Sequence, residues 1–133
     1  MMQFLKAAIA VLAMGLAGLA QSQTLGGPMG GDGEGFCQKL ANHALNVEIF
    51  KSRGTPLETV LSADVQWISG HSEGLDAYSE GHVLDIDTAM VRRIYNTRSS
   101  WKYLSPDDAY HVVWGNCLTS TSPDMLVSRF DRE

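Results

Sequence analysis

With 133 residues, ten of them basic and fifteen acidic, the chain carries a formal charge of −5. It has no basic run longer than Arg92-Arg93 to set against phosphates, which excludes nucleic acid as a partner. The balance of apolar and charged residues suits one small globular domain.

The first twenty residues read as a secretory signal peptide. Lys6 precedes the apolar run Ala7 to Leu19, and Gly18-Leu19-Ala20 supplies small residues at the cleavage positions before Gln21-Ser22-Gln23. The run is short for a membrane span, so none is expected once the signal is removed. Residues 21–35 form a leader: Gly26 to Gly35 holds six glycines among ten residues, too little apolar surface to order itself. The folded domain is therefore expected over 36–130, a size at which one core is only modestly stabilising.

Two cysteines remain, Cys37 and Cys117, near the two ends of that domain. In an exported protein they are expected to pair. Closing a loop of about 80 residues restricts the unfolded chain by roughly 4 kcal/mol.

Helical periodicity runs through the rest. Cys37, Leu40, Ala44, Val47 and Phe50 mark a first helix from Phe36 to Lys51, with Gly54 placed for its C-cap. Thr55-Pro56-Leu57-Glu58 reads as a capping box for a second, whose stripe is Leu57, Val60, Leu61, Val65 and Ile68. A strand over Val65 to Ser69 is the alternative there. Asp85 or Asp87 can cap a third helix carrying Ile86, Met90 and Ile94 and fading near Asn96. Ser105-Pro106-Asp107-Asp108 starts a fourth with Ala109, Val112, Val113 and Cys117, its end weakened by Gly115. Ser122-Pro123-Asp124 can begin one more short turn through Phe130. The expected fold is all-α, a small four-helix (with the last turn, five-helix) bundle closed by a disulfide between the first and last main helices.

Between the second and third helices lies SGHSEGLDAYSEGH, which supports three readings. Gly70-His71-Ser72-Glu73-Gly74 matches the nucleophile pattern of serine hydrolases, and Asp85 or Asp87 with His111 would keep a Ser, Asp, His order. That chemistry needs a strand leading into the serine and a central sheet behind it, and few residues remain to build one. His71, Glu73, Asp76, Glu80 and His82 offer ligands for zinc or a similar ion. Their spacing does not share a helix face, so the ion itself would have to order them. The third reading is a solvated connector, with Leu75 and Tyr78 resting on the domain as a short turn.

Elsewhere, Trp67, Trp101 and Trp114 are large for a small core, and any left exposed is a contact candidate. Arg92 and Arg93, with Arg98 and Lys102, gather positive charge at the end of the third helix, either for an anionic partner or to complement the helix dipole. His43 and His111 read as half-buried helix residues, with His111 able to answer to pH.

Cys37 opening a first helix, Phe50-Lys51-Ser52-Arg53-Gly54 before Thr55-Pro56-Leu57, the Ile94-Tyr95 pair, Ser105-Pro106 and a final helix with Cys117 resemble small exported, disulfide-tied helical proteins of proteobacteria, mostly of unassigned function. The resemblance spans roughly Phe36 to Cys117, implies a structural frame and no catalytic residue, and marks His71 to His82 as an insertion. Periplasmic acid-stress chaperones and immunity proteins against secreted toxins share the size and compartment. The expectation is a periplasmic or secreted protein that binds another protein, without a cofactor and without catalysis. A metal- or pH-responsive module using the His71 to His82 stretch is the alternative, and a hydrolase at Ser72 the third.

Overall fold

The structure, a computed structural model, describes residues 33–70 and 77–132. His71, Ser72, Glu73 and Asp76 lie outside the described residues, as do residues 1–32 and the side chain of Glu80. The described part is all-helical: α1 (Gly33–Ser52), α2 (Leu57–Gly70), α3 (Ala77–Tyr95), a 3₁₀ turn (Ser100–Tyr103), α4 (Pro106–Leu118) and α5 (Pro123–Asp131). None of these helices is long and apolar enough to cross a membrane.

Local chemistry sets the ends of these helices. Ser105 Oγ accepts from the Asp108 N–H, and Ser122 Oγ accepts from the Met125 N–H, each with a proline at the first helical position. Both serines thus satisfy an orphan donor at a helix start. α1 ends at Ser52 and is followed by Gly54, whose φ of 86° is open to glycine at no steric cost, and the Gly54 N–H returns to the Lys51 carbonyl. The chain then turns through Thr55, whose carbonyl accepts from the Tyr95 hydroxyl at 2.6 Å, tying this turn to the end of α3.

The most extensive helix contact joins α1 to α4, followed by α3 with α5 and α2 with α3. On α1 the buried positions include Cys37, Ala41 and Ala44, and on α4 Ala109, Val113 and Cys117, all fully inaccessible. Small side chains let the two backbones approach, and the Cys37–Cys117 disulfide joins the pair with its Cα atoms 5.6 Å apart. Ile86, Met90, Val91 and Ile94 of α3 complete the core with Leu126 and Phe130 of α5.

One alternative is removed and two expectations are corrected. Val65 to Ser69 is helical and not a strand, because α2 keeps Val60, Asp64 and Ile68 inward on one i, i+4 stripe as far as Gly70. The third helix begins at Ala77, well before Asp85, so residues 77–82 are not connector. His82, Ile86, Met90 and Ile94 follow one another at four-residue steps, and packing of that stripe overrides the cost of Gly81. Asp87 consequently sits inside α3, 5% exposed, and caps nothing.

Gly81 and Gly115 both occupy helix interiors, and a Cβ at either would meet no atom within 4 Å. Gly81→Ala and Gly115→Ala should therefore each stabilise the protein by about 0.5–1 kcal/mol, by removing backbone freedom from the unfolded chain. Urea midpoints at constant m-value check this, and a loss of stability would mean that the backbone at these positions is not relaxed helix.

Glu48 is 3% exposed. Its Oε1 lies 3.3 Å from Lys51 Nζ, and Oε2 has no hydrogen-bond partner among the described residues. Lys51 Nζ also donates to the Ile94 carbonyl at 2.9 Å. Burial pushes the Glu48 carboxyl above its usual 4.5, and Lys51 only partly offsets this. A carboxyl with a raised folded-state pKa costs nothing below the unfolded value and destabilises as pH rises through the folded value. Glu48→Gln should therefore match the parent near pH 4 and exceed it in stability at pH 7.5. Parallel denaturation curves at the two pH values test it, and an equal or smaller gain at pH 7.5 would count against it.

Candidate functional site

α2 and α3 each carry a carboxylate in the middle of an inward stripe. Asp64 stands between Val60 and Ile68, and Asp87 between Val83 and Val91. Both face His43 of α1, whose Nε2 lies 2.8 Å from Asp64 Oδ2 and 3.3 Å from Asp87 Oδ1. The His43 side chain is 31% exposed, while the Asp64 and Asp87 side chains are 11% and 7% exposed. The imidazole thus forms the outer wall of a polar seam whose floor is two buried carboxylates. One atom from each residue, a ring nitrogen and two carboxylate oxygens, all lie within 4.8 Å of one another.

The electrostatics follow from one imidazole facing two acids. Burial disfavours the charged ring, but hydrogen bonds to Asp64 and then Asp87, with the attraction of both charges, lift His43 from 6.5 to about 10. For Asp87, burial dominates; the His43 hydrogen bond opposes it and the neighbouring Asp64 reinforces it, so its carboxyl rises from 3.8 to about 7. Burial pushes Asp64 upward too, yet its hydrogen bonds to His43 and Asp87 and the attraction of His43 hold it below 3.8. Among the described residues, His43 Nε2 lies within reach of both acids. Two buried acids thus share one imidazole and hydrogen-bond to each other.

Sequence reasoning placed His43 among apolar neighbours and missed this convergence. The signal available was an acid interrupting an apolar i, i+4 stripe on two successive helices. What the sequence does not contain is the pairing of those stripes across α1.

The other candidates disperse. Of the proposed loop ligands, only His82 has a described side chain; its Nε2 is buried, and it is not part of the His43 group. His111 is not half-buried as expected: its side chain is 69% exposed, 3.8 Å from Asp107 on the outer side of α4. Trp101 belongs to the core, edge-on to Phe130 with ring centroids 5.7 Å apart. Trp114 is half-buried and stacks on Tyr110. Trp67 is 60% exposed.

Arg92 is exposed, but Arg93 is committed to the fold. Its guanidinium lies 4.5 Å over the Trp101 ring and donates to the carbonyls of Arg129 and Arg132 at 2.8 and 3.0 Å, and its Nε donates to Ser99 Oγ. With Asn116, Arg129 and Arg132 it lines a cleft of about 260 Å³. Arg129 in turn donates to the Asn116 carbonyl at the end of α4. Positive charge in this cleft therefore answers the carbonyl ends of α4 and α5.

The outer side of α2 is different in character. Glu58, Thr59, Ser62, Ala63 and Gln66 line a shallow groove, flanked by Val65, 47% exposed, and Trp67. No protein-family model, curated protein or solved structure matches the chain.

Proposed function

We propose that this chain is an extracytoplasmic binding protein that acts without catalysis and engages another protein through the outward face of α2. The exposed indole of Trp67 carries the reading. A tryptophan offers a large, rigid apolar surface, and such side chains are the usual anchors of protein contacts. The small residues Thr59, Ser62 and Ala63 beside it would let a partner's backbone approach closely. The Cys37–Cys117 bond supports an oxidising compartment. We read the architecture as a four-helix bundle, α1 to α4, with α5 as an added arm.

The test places a photo-crosslinking residue at Gln66, and a second at His111 on α4 as control, in cells that express the chain natively. One discrete adduct from Gln66, absent from His111 and lost on Trp67→Ala, is the expected result. Equal adducts from both positions, or none, would remove the α2 face as a docking surface. The His43 seam favours a second reading, a module that responds to a cation.

A further inference from the structure

We propose that His43 Nε2, Asp64 Oδ2 and Asp87 Oδ1 together bind one divalent first-row metal ion of the zinc class, held between α1, α2 and α3. This site is distinct both from the α2 face and from the histidine-bearing stretch at 71–82.

Geometry is the first argument. Bonds of about 2.0–2.2 Å from a tetrahedral zinc ion to nitrogen and oxygen put neighbouring ligand atoms roughly 3.4 Å apart. The His43 to Asp87 separation is 3.3 Å, already at that edge length, and the His43 to Asp64 separation is 2.8 Å. Opening the shorter edge by roughly half an ångström needs only a small side-chain rotation. Each ligand stands on a different helix, and both acids sit well inside their helices, so rigid elements place all three.

Charge is the second argument. A metal ion takes the Nε2 lone pair, so the ring enters neutral, with its proton displaced. The two acids then contribute two negative charges, which a divalent ion neutralises. Without an ion, the two acids rely on one imidazole and on the hydrogen bond between them.

Donor type and access narrow the ion. One imidazole nitrogen with two carboxylate oxygens suits zinc or a similar borderline ion and lacks the thiolates that soft ions prefer. Calcium is a poor fit, because it takes six to eight oxygen ligands. The partly exposed edge of His43 gives a path from solvent and leaves room for water or an external ligand in the remaining coordination position.

The experiment uses the tag-free full chain with its disulfide intact, stripped with a chelator and labelled with ¹⁵N. The ring nitrogens of the four histidines are followed by long-range ¹H–¹⁵N correlation as Zn²⁺ is added. His43 Nε2 should move to a metal-bound position and saturate at one equivalent, while His111 stays unchanged. Asp87→Asn should weaken binding by about tenfold or more, and His111→Gln should leave it unaltered. Should Asp87→Asn fail to fold by circular dichroism, the ring shifts of the parent chain still decide. Response of His71 and His82 before His43 would overturn the site in favour of the loop. No ring shift at sub-millimolar Zn²⁺ would overturn it in favour of a metal-free ion triad.

Discussion

Replacing both Cys37 and Cys117 with alanine should lower the melting temperature by on the order of 20 °C. The bond closes a loop with a sequence separation of 80, and releasing it returns roughly 4 kcal/mol of chain entropy to the unfolded state. For a domain of this size each kilocalorie moves the melting point by about 4–8 °C. The double variant should still fold in the cold, because Ala41, Ala44, Ala109 and Val113 keep the α1–α4 contact buried without the bridge. Scanning calorimetry of the variant against the oxidised parent measures the shift. A change below about 3 °C would show that the unfolded chain is restrained by something other than the bridge.

The second large effect belongs to His43. His43→Ala removes the imidazole that faces Asp64 and Asp87, which are 9% and 5% exposed in the parent. Removing one partner from a buried charge cluster costs about 3 kcal/mol, because the remaining acids lose their compensating charge. Asp87→Asn added to His43→Ala should recover a good part of the loss, since an amide at 87 needs no counter-charge and can still donate to Asp64. The coupling energy should be on the order of 1–2 kcal/mol. Urea denaturation of the four chains at neutral pH with chelator present gives the cycle directly. Strict additivity would mean that the three side chains do not act as one unit.

How much of this was written in the sequence depends on how local the signal is. Ser105-Pro106 and Ser122-Pro123 announced α4 and α5 because a cap is a contact within four residues, and both serines make the expected bond. The disulfide was legible because the chain holds two cysteines, which leave one intramolecular pairing. The start of α3 was hidden by composition: Ser79-Glu80-Gly81 has the residues of a connector, and only the four-residue steps from His82 to Ile94 reveal the helix. Trp67 and Trp101 have equal sequence credentials, yet one is exposed and the other is packed on Phe130. Burial of a tryptophan is decided by neighbouring helices, which no local window contains. The His43 centre lies further still from sequence, since its ligands come from residues 43, 64 and 87 on three helices.

Arg93 joins four parts of the chain at one point: α3, the Ser99 turn, the Trp101 ring and the carbonyl end of α5. Such a junction makes local opening collective. When the guanidinium lets go, the last helix loses its anchor, Ser99 loses a donor to its hydroxyl, and Trp101 loses the cation over its face in the same event. Amides of α5 and the indole N–H of Trp101 should therefore exchange with solvent at a common rate, as one cooperative unit, and well ahead of the disulfide-tied contact of α1 with α4.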